Sequence, residues 1–236
     1  MADVYLATDW KGLNQWGTIA VMSVEYYAKP VQAISGRDPK RFDSRYVEPR
    51  FEVNHMERYR HMNYPEVITR MERELAMNEM FSRKDVCIIL GINDAGAAIE
   101  YILEDCEIEP EFMHISSNSS ISKYSQHSNM YTVPRNELIL SLATAYQKGQ
   151  IKVAKSLKLL PVLDNELVNL KLRSDTGVMI NRNTEEKGFS DVATAVAMCI
   201  WMAKQDHERD KTYADRLDDE FGKAKQATKW PVYKGR

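Results

Sequence analysis

The chain has 236 residues, 44% hydrophobic and 28% charged, which is enough for one sizeable domain with its own core. Its formal net charge is -2, so any nucleic-acid contact must rest on local basic patches and not on the field of the whole molecule. No apolar stretch approaches the ~18 residues of a membrane span, the N-terminus MADVYLATDW shows no signal-peptide pattern, and Cys87, Cys106 and Cys199 lie far apart with no CxxC.

Cys87 and Cys199 sit in apolar runs and read as buried free thiols of a reducing compartment. A soluble cytosolic protein is the expectation.

In chain order, Val4 to Thr8 predicts a short strand ending at Asp9. Trp10 to Trp16 holds Gly12 and Asn14 and predicts a tight turn. Thr18 to Tyr27, rich in Ile, Val, Met and Tyr, completes a hairpin. Residues 29–49 mix Pro, Gly and basic residues and predict a long excursion. Phe51 to Met56 alternates as a half-buried strand does. Tyr64-Pro65-Glu66 opens a helical pattern, with Pro65 suited to the first turn. Val67, Ile68, Met71, Leu75 and Met80 follow at helical spacing.

The run Val86-Cys87-Ile88-Ile89-Leu90 is continuously apolar, as in a parallel strand covered on both faces. It ends at Gly91, before Ile92-Asn93-Asp94-Ala95-Gly96. A helix is predicted from Ala95 to Leu103 and a strand from Phe112 to Ile115. Ser116 to Ser128 is polar and predicts a loop. Val133-Pro134-Arg135-Asn136 starts a helix through Tyr146 that ends near Gly149. Ile151 to Ala154 predicts a strand, Leu157 to Leu172 an amphipathic helix, and Gly177 to Ile180 a short strand. Ser190-Asp191 caps a long apolar helix, Val192 to Ala203. The charged segment from Gln205 predicts a solvated helix or tail, giving a domain over 1–204 and a tail over 205–236. The order predicts an α/β domain with a mixed sheet, antiparallel at the start and parallel later.

Two acids stand out by position: Asp9 at the end of the first strand and Asp191 at the start of the last long helix. Carboxylates at such ends converge on one rim of a sheet, where they bind Mg²⁺ or Mn²⁺. Two such ions activate a water and stabilise the leaving oxygen of a phosphodiester. The plainer roles are turn closure for Asp9 and helix capping for Asp191. There is no P-loop, no GxSxG and no HExxH among the five histidines. Arg37, Lys40, Arg41 and Arg45 in the excursion, with Lys123 and Arg135, are the candidate phosphate contacts, each also an ordinary surface charge.

Four stretches together resemble a known family. They are Tyr5-Leu6-Ala7-Thr8-Asp9 with Gly17-Thr18-Ile19-Ala20-Val21; Asn63-Tyr64-Pro65-Glu66-Val67-Ile68; Val133-Pro134-Arg135-Asn136-Glu137-Leu138 with Gly149 to Val153 and Leu163-Asp164-Asn165-Glu166-Leu167; and Gly188-Phe189-Ser190-Asp191-Val192-Ala193. In order and spacing they resemble the C-terminal nuclease domain of the large terminase subunit of tailed bacteriophages. The resemblance covers residues 3–204.

It implies an RNase H-like (retroviral-integrase-like) fold and a Mg²⁺- or Mn²⁺-dependent endonuclease that cuts concatemeric double-stranded DNA during packaging. It implies as partners the terminase ATPase motor domain or subunit, the small terminase subunit and the portal. It also implies the host-cell cytoplasm, with no membrane role. Asp9 matches the family's first metal ligand, and Asp191 its acid at the start of the last helix. The middle acid falls at Gly91, although Asn93 and Gly96 fit, and a further acid falls at Gln15. Asp94 lies three residues out of register, ~10 Å of extended chain. Three versions therefore stay open: a nuclease completed by Asp94 or another acid, a weak site, and an inactive module that binds DNA or packaging components.

Overall fold

In the computed structural model the described residues are 2–9, 16–28, 47–77, 85–92, 110–116, 123–125, 130–168, 171–173, 177–179 and 191–227, the stretch 211–227 as helical backbone. Ten strands and four helices lie in them: β1 Val4–Asp9, β2 Trp16–Ala28, β3 Val47–Arg60, α1 Tyr64–Met77, β4 Val86–Ile92, β5 Glu111–Ser116, β6 Lys123–Ser125, β7 Met130–Pro134, α2 Arg135–Gln147, β8 Ile151–Val153, α3 Leu160–Val168, β9 Lys171–Arg173, β10 Gly177–Met179 and α4 Asp191–Ala227.

Eight strands form one sheet in the order β6-β7-β5-β4-β1-β2-β3-β8, and β9 and β10 form a separate antiparallel pair. β1, β2 and β3 are antiparallel to one another in turn. β4 runs parallel to β1, β5 to β4 and β7 to β5. β8 runs parallel to β3, and short β6 closes one edge antiparallel to β7. This mixed sheet flanked by helices is the α/β arrangement expected from the sequence and is consistent with an RNase H-like fold.

Two apolar layers cover the sheet. Val4 and Leu6 of β1 face α1, where Val67, Ile68 and Met71 pack with Ile19, Val21, Ile88 and Leu90. Tyr5 and Ala7 face the other way, onto α2, α3 and α4. Covered on both sides, β1 is buried at every residue, as its unbroken apolar run requires. The first turns of α4 are small and apolar, with Ala193, Ala195, Ala197 and Ala203 all buried, so the helix lies close along the sheet. The start of α1 is held by a reciprocal cap: Glu66 N–H donates to Asn63 Oδ1 (2.9 Å) and Asn63 N–H to Glu66 Oε2 (2.7 Å).

Several boundaries differ from expectation. β3 is longer than Phe51 to Met56 because it pairs with β2 along the full length of both strands. The polar stretch 116–128 contains β6, and β7 precedes the helix at Arg135, because edge pairing stabilises segments with little apolar pattern. α3 is shorter than Leu157 to Leu172, and Lys171–Arg173 pairs with Gly177–Met179 instead. α4 runs unbroken past residue 204 to Ala227. Cys87 is half-buried and Cys199 buried, both free thiols. The predicted helix from Ala95 to Leu103, residues 10–15 of the predicted turn and residues 29–46 of the predicted excursion lie outside the described residues, and the last three residues of that excursion, Val47 to Pro49, belong to β3. No helix among the described residues is long and apolar enough to cross a membrane.

Candidate functional site

β1, β3, β4, β5, β7 and β8 all point the same way, so their C-terminal ends share one rim of the sheet. Asp9 ends β1 on this rim. Its cross-strand partners are Thr18 on β2 and Gly91 on β4. Thr18 in turn pairs with Arg58 on β3. The register therefore lays out a row Gly91–Asp9–Thr18–Arg58, facing the start of α4.

A β-bulge aims the last member of this row. Val21 pairs with His55 but Met22 pairs with Val53, which leaves Asn54 as an extra residue on β3. Asn54 Nδ2 donates to Ser23 Oγ at 2.8 Å, which anchors the bulge. The extra residue reverses the alternation. Phe51 and Val53 face α4 before it, and Met56 and Arg58 do so after it, while Tyr59 packs on the α1 side.

Asp191, the first residue of α4, receives the fork of Arg58. Nε donates to Oδ2 at 2.7 Å and Nη2 to Oδ1 at 2.6 Å. Thr18 Oγ1 donates to the same Oδ2 at 2.8 Å. Arg58 Nη2 also reaches Glu166 Oε1 of α3 at 3.2 Å. The other oxygen of Glu166 accepts the backbone N–H of Ala193 at 2.9 Å, one of the unpaired donors of the first turn of α4. Hydrogen bonds to Asp191 push the Arg58 pKa further up, against the opposing effect of burial. Asp9 is 3% exposed and Asp191 2%, so both acids lie beneath the surface of the rim.

Beneath the row, on the α1 side, Thr8 Oγ1 and Tyr59 Oη are 2.6 Å apart and both residues are buried. The Tyr59 ring lies over Gly17 so closely that a Cβ there would overlap it.

The two acids matched by the resemblance are thus brought to one place, at the two ends where they were expected. Asp94, Gln15, Asn93, Gly96, Arg37, Lys40, Arg41 and Arg45 lie outside the described residues, and Lys123 is described only as backbone in β6. Arg135 opens α2 directly after β7, on the same rim and three strand spacings from β1, ~14 Å away. Exposed Arg60 and Lys155 follow on the rim beyond Arg58 and β8. Thr18 and Glu166 lie in stretches that carry the resemblance but were given no role there, and Arg58 carried no signal: it sits in the charged run HMERYR, and only the bulge decides which way it faces.

Does this centre suit the two-metal cluster that the resemblance implies? Two observations say that it does not. A Cβ at Gly91 would lie 2.8 Å from the carbonyl oxygen of Thr8 and 3.1 Å from Met198 Cε, so a side chain at the position that should carry the middle acid requires the backbone of β1 to shift. Both oxygens of Asp191 already accept hydrogen bonds from the side chains of Arg58 and Thr18. A guanidinium fork of this kind fills the role of charge neutralisation that a divalent ion otherwise fills.

A second group, His55, Glu57 and Glu74, has potential ligand atoms within 4.8 Å of one another on the α1 side. Arg70 is forked onto Glu57 at 2.8 to 3.0 Å and reaches Glu74 at 3.6 Å, so this group is also balanced by an arginine of the chain itself. Comparison with family models, with curated proteins and with solved structures finds no match to this chain.

Proposed function

We propose that this chain is a DNA-engaging RNase H-like module of the phage-terminase type that does not cut DNA through a two-metal centre. The observation that carries this reading is the fork of Arg58 on Asp191, with Gly91 packed against the backbone of β1. A cutting centre needs carboxylates open to two ions about 3.5–4 Å apart. Here one acid is claimed by an arginine and another is replaced by a residue without a side chain.

What supports DNA as the ligand is the resemblance, together with the cations on the rim: Arg60 at the end of β3, Arg135 at the start of α2 and Lys155 just after β8 flank the acidic centre. On this reading the module works in the host-cell cytoplasm beside a packaging motor, a small terminase subunit and a portal. It would position DNA and leave the cut to another site.

The test pairs two measurements on the full chain. Fluorescence anisotropy with a labelled duplex should show binding that weakens steeply with salt. Supercoiled plasmid incubated with Mg²⁺ or Mn²⁺ should stay uncut. Metal-dependent nicking that disappears in Asp9→Asn and Asp191→Asn would overturn the reading.

That outcome defines the second reading, a metal-dependent endonuclease of the same type. The placement of Asp9 and Asp191 on one rim, joined through Thr18, favours it.

A further inference from the structure

We propose that Arg58 is the resident cation of the Asp191–Glu166 carboxylate pair, a guanidinium built into β3 that neutralises this pair as a bridging divalent ion would and makes its assembly independent of metal. The proposal rests on the non-cutting reading above and extends it to the role of one residue.

A structural ion joins carboxylates from separate elements, and Arg58 does so. Its Nη2 contacts Asp191 of α4 at 2.6 Å and Glu166 of α3 at 3.2 Å, while its backbone belongs to β3. Three elements that are distant in sequence are thereby tied at one point. The side chains are 25% exposed for Arg58, 11% for Glu166 and 3% for Asp191, so water screens these charges weakly and each needs an internal partner.

The local fold is arranged to deliver the guanidinium. The Asn54 bulge turns Arg58 to the α4 side, and without that extra residue the alternation would present Glu57 or Tyr59 there. Thr18, the register partner of Arg58, adds a neutral donor to the same carboxylate. Arginine keeps its proton across the working pH range and chelators do not remove it. An arginine-held centre therefore stays assembled where an ion-held one would open.

Thermal unfolding of the full chain, in chelator and in millimolar Mn²⁺, tests this on wild type, Arg58→Met and Arg58→Lys. Wild type should melt at the same temperature in both solutions. Arg58→Met, which leaves buried carboxylates without their cation, should lose roughly 6–20 °C in chelator. Mn²⁺ should return a substantial part of that loss. Arg58→Lys should fall between the two and respond little to Mn²⁺.

If Arg58→Met does not fold in chelator, Mn²⁺ should restore its far-UV circular dichroism. The double variant Arg58→Met/Asp191→Asn should be indifferent to Mn²⁺. A loss in Arg58→Met that Mn²⁺ does not repair would make Arg58 an ordinary structural contact and overturn the proposal. A wild type stabilised by Mn²⁺ as strongly as Arg58→Met would overturn it too. Plasmid nicking by a wild type that Mn²⁺ leaves thermally unchanged would sink the non-cutting reading and leave the role of Arg58 standing.

Discussion

Gly91 and Asp9 are direct register partners on β4 and β1, and a Cβ at Gly91 would lie 3.4 Å from the Cα of Asp9 and 2.8 Å from the carbonyl oxygen of Thr8. The atom in the way is backbone of a central strand and cannot swing aside as the end of a flexible side chain does.

Replacing this glycine with an acid should therefore fail to create a working ligand set. Gly91→Ala should destabilise the chain by about 1–3 kcal/mol through overpacking. Gly91→Asp should cost more, because it adds a buried charge. Urea unfolding measures the loss, and plasmid incubation with Mn²⁺ should show no nicking. Robust cutting by Gly91→Asp would mean that the strand yields more than its packing implies.

Glu166 holds the start of α4 as well as Arg58. Glu166→Gln retains an acceptor for the Ala193 N–H and loses the charge facing Arg58, so it should cost about 1–2 kcal/mol. Glu166→Ala should cost more. Hydrogen exchange should localise the effect to the first turn of α4 around residue 193. Exchange there as slow as in wild type would show that the cap is not held by Glu166.

Gly17 and Tyr59 should behave as a coupled pair. Gly17→Ala alone should destabilise, because its methyl overlaps the Tyr59 ring. In a Tyr59→Leu background the same change should cost at least 1 kcal/mol less, roughly the scale of coupling between touching residues. Tyr59→Phe isolates the hydroxyl contact with Thr8 and should cost about 1–2 kcal/mol. A double-mutant cycle by chemical denaturation reads all three, and strict additivity would rule out the contact.

Lys204 of α4 gives a pH signature. Its Nζ donates to Ser141 O of α2 at 2.9 Å, and burial, with a smaller push from Lys148, brings its pKa from 10.5 down to about 8. In the unfolded chain Lys204 keeps its proton to higher pH than in the folded one, so its contribution to stability rises between pH 8 and 10.5. Cys87 acts in the opposite sense. Burial pushes its thiol from 9 up to about 12, so the unfolded chain loses that proton first and stability falls across that range. The informative quantity is therefore the difference between wild type and Lys204→Met, which should shift in favour of wild type as pH rises from 8. A flat difference would mean that Lys204 titrates alike in both states.

Rim cations should govern DNA affinity if the proposed function holds. Arg60→Ala and Arg135→Ala should each weaken duplex binding across sequences and reduce the salt slope by ~0.9 for each phosphate that is no longer neutralised. Anisotropy titrations at several salt concentrations measure both. Unchanged slopes in both variants would place the DNA elsewhere.

The sequence by itself determined the broad frame. The unbroken apolar run around Ile89 announced a strand covered on both faces, because such a strand uses apolar residues at successive positions, and Val4 to Thr8 announced the first strand of the opening hairpin. The start of α1 was legible in Tyr64-Pro65-Glu66, because the fixed φ of proline suits the first turn of a helix, a local property. Asp9 and Asp191 were legible from local position too, as acids at the end of a strand and the start of a helix. The edge strand β6 and its neighbour β7 were not, since short strands of this kind are fixed by pairing more than by pattern.

Only the tertiary structure decided what surrounds the two acids. One extra residue, Asn54, reverses the alternation of β3 and sends Arg58 to Asp191, with Glu57 left to Arg70 on the opposite face. Glu166 reaches the same point from a helix 108 residues along the chain from Arg58. Sequence spacing is blind to both effects, because a bulge is set by pairing with the neighbouring strand and a charge network by which elements meet in space. Glycine at position 91 was visible in the sequence as a missing acid. Its neighbours in space add that an acid there would have to displace the backbone of β1.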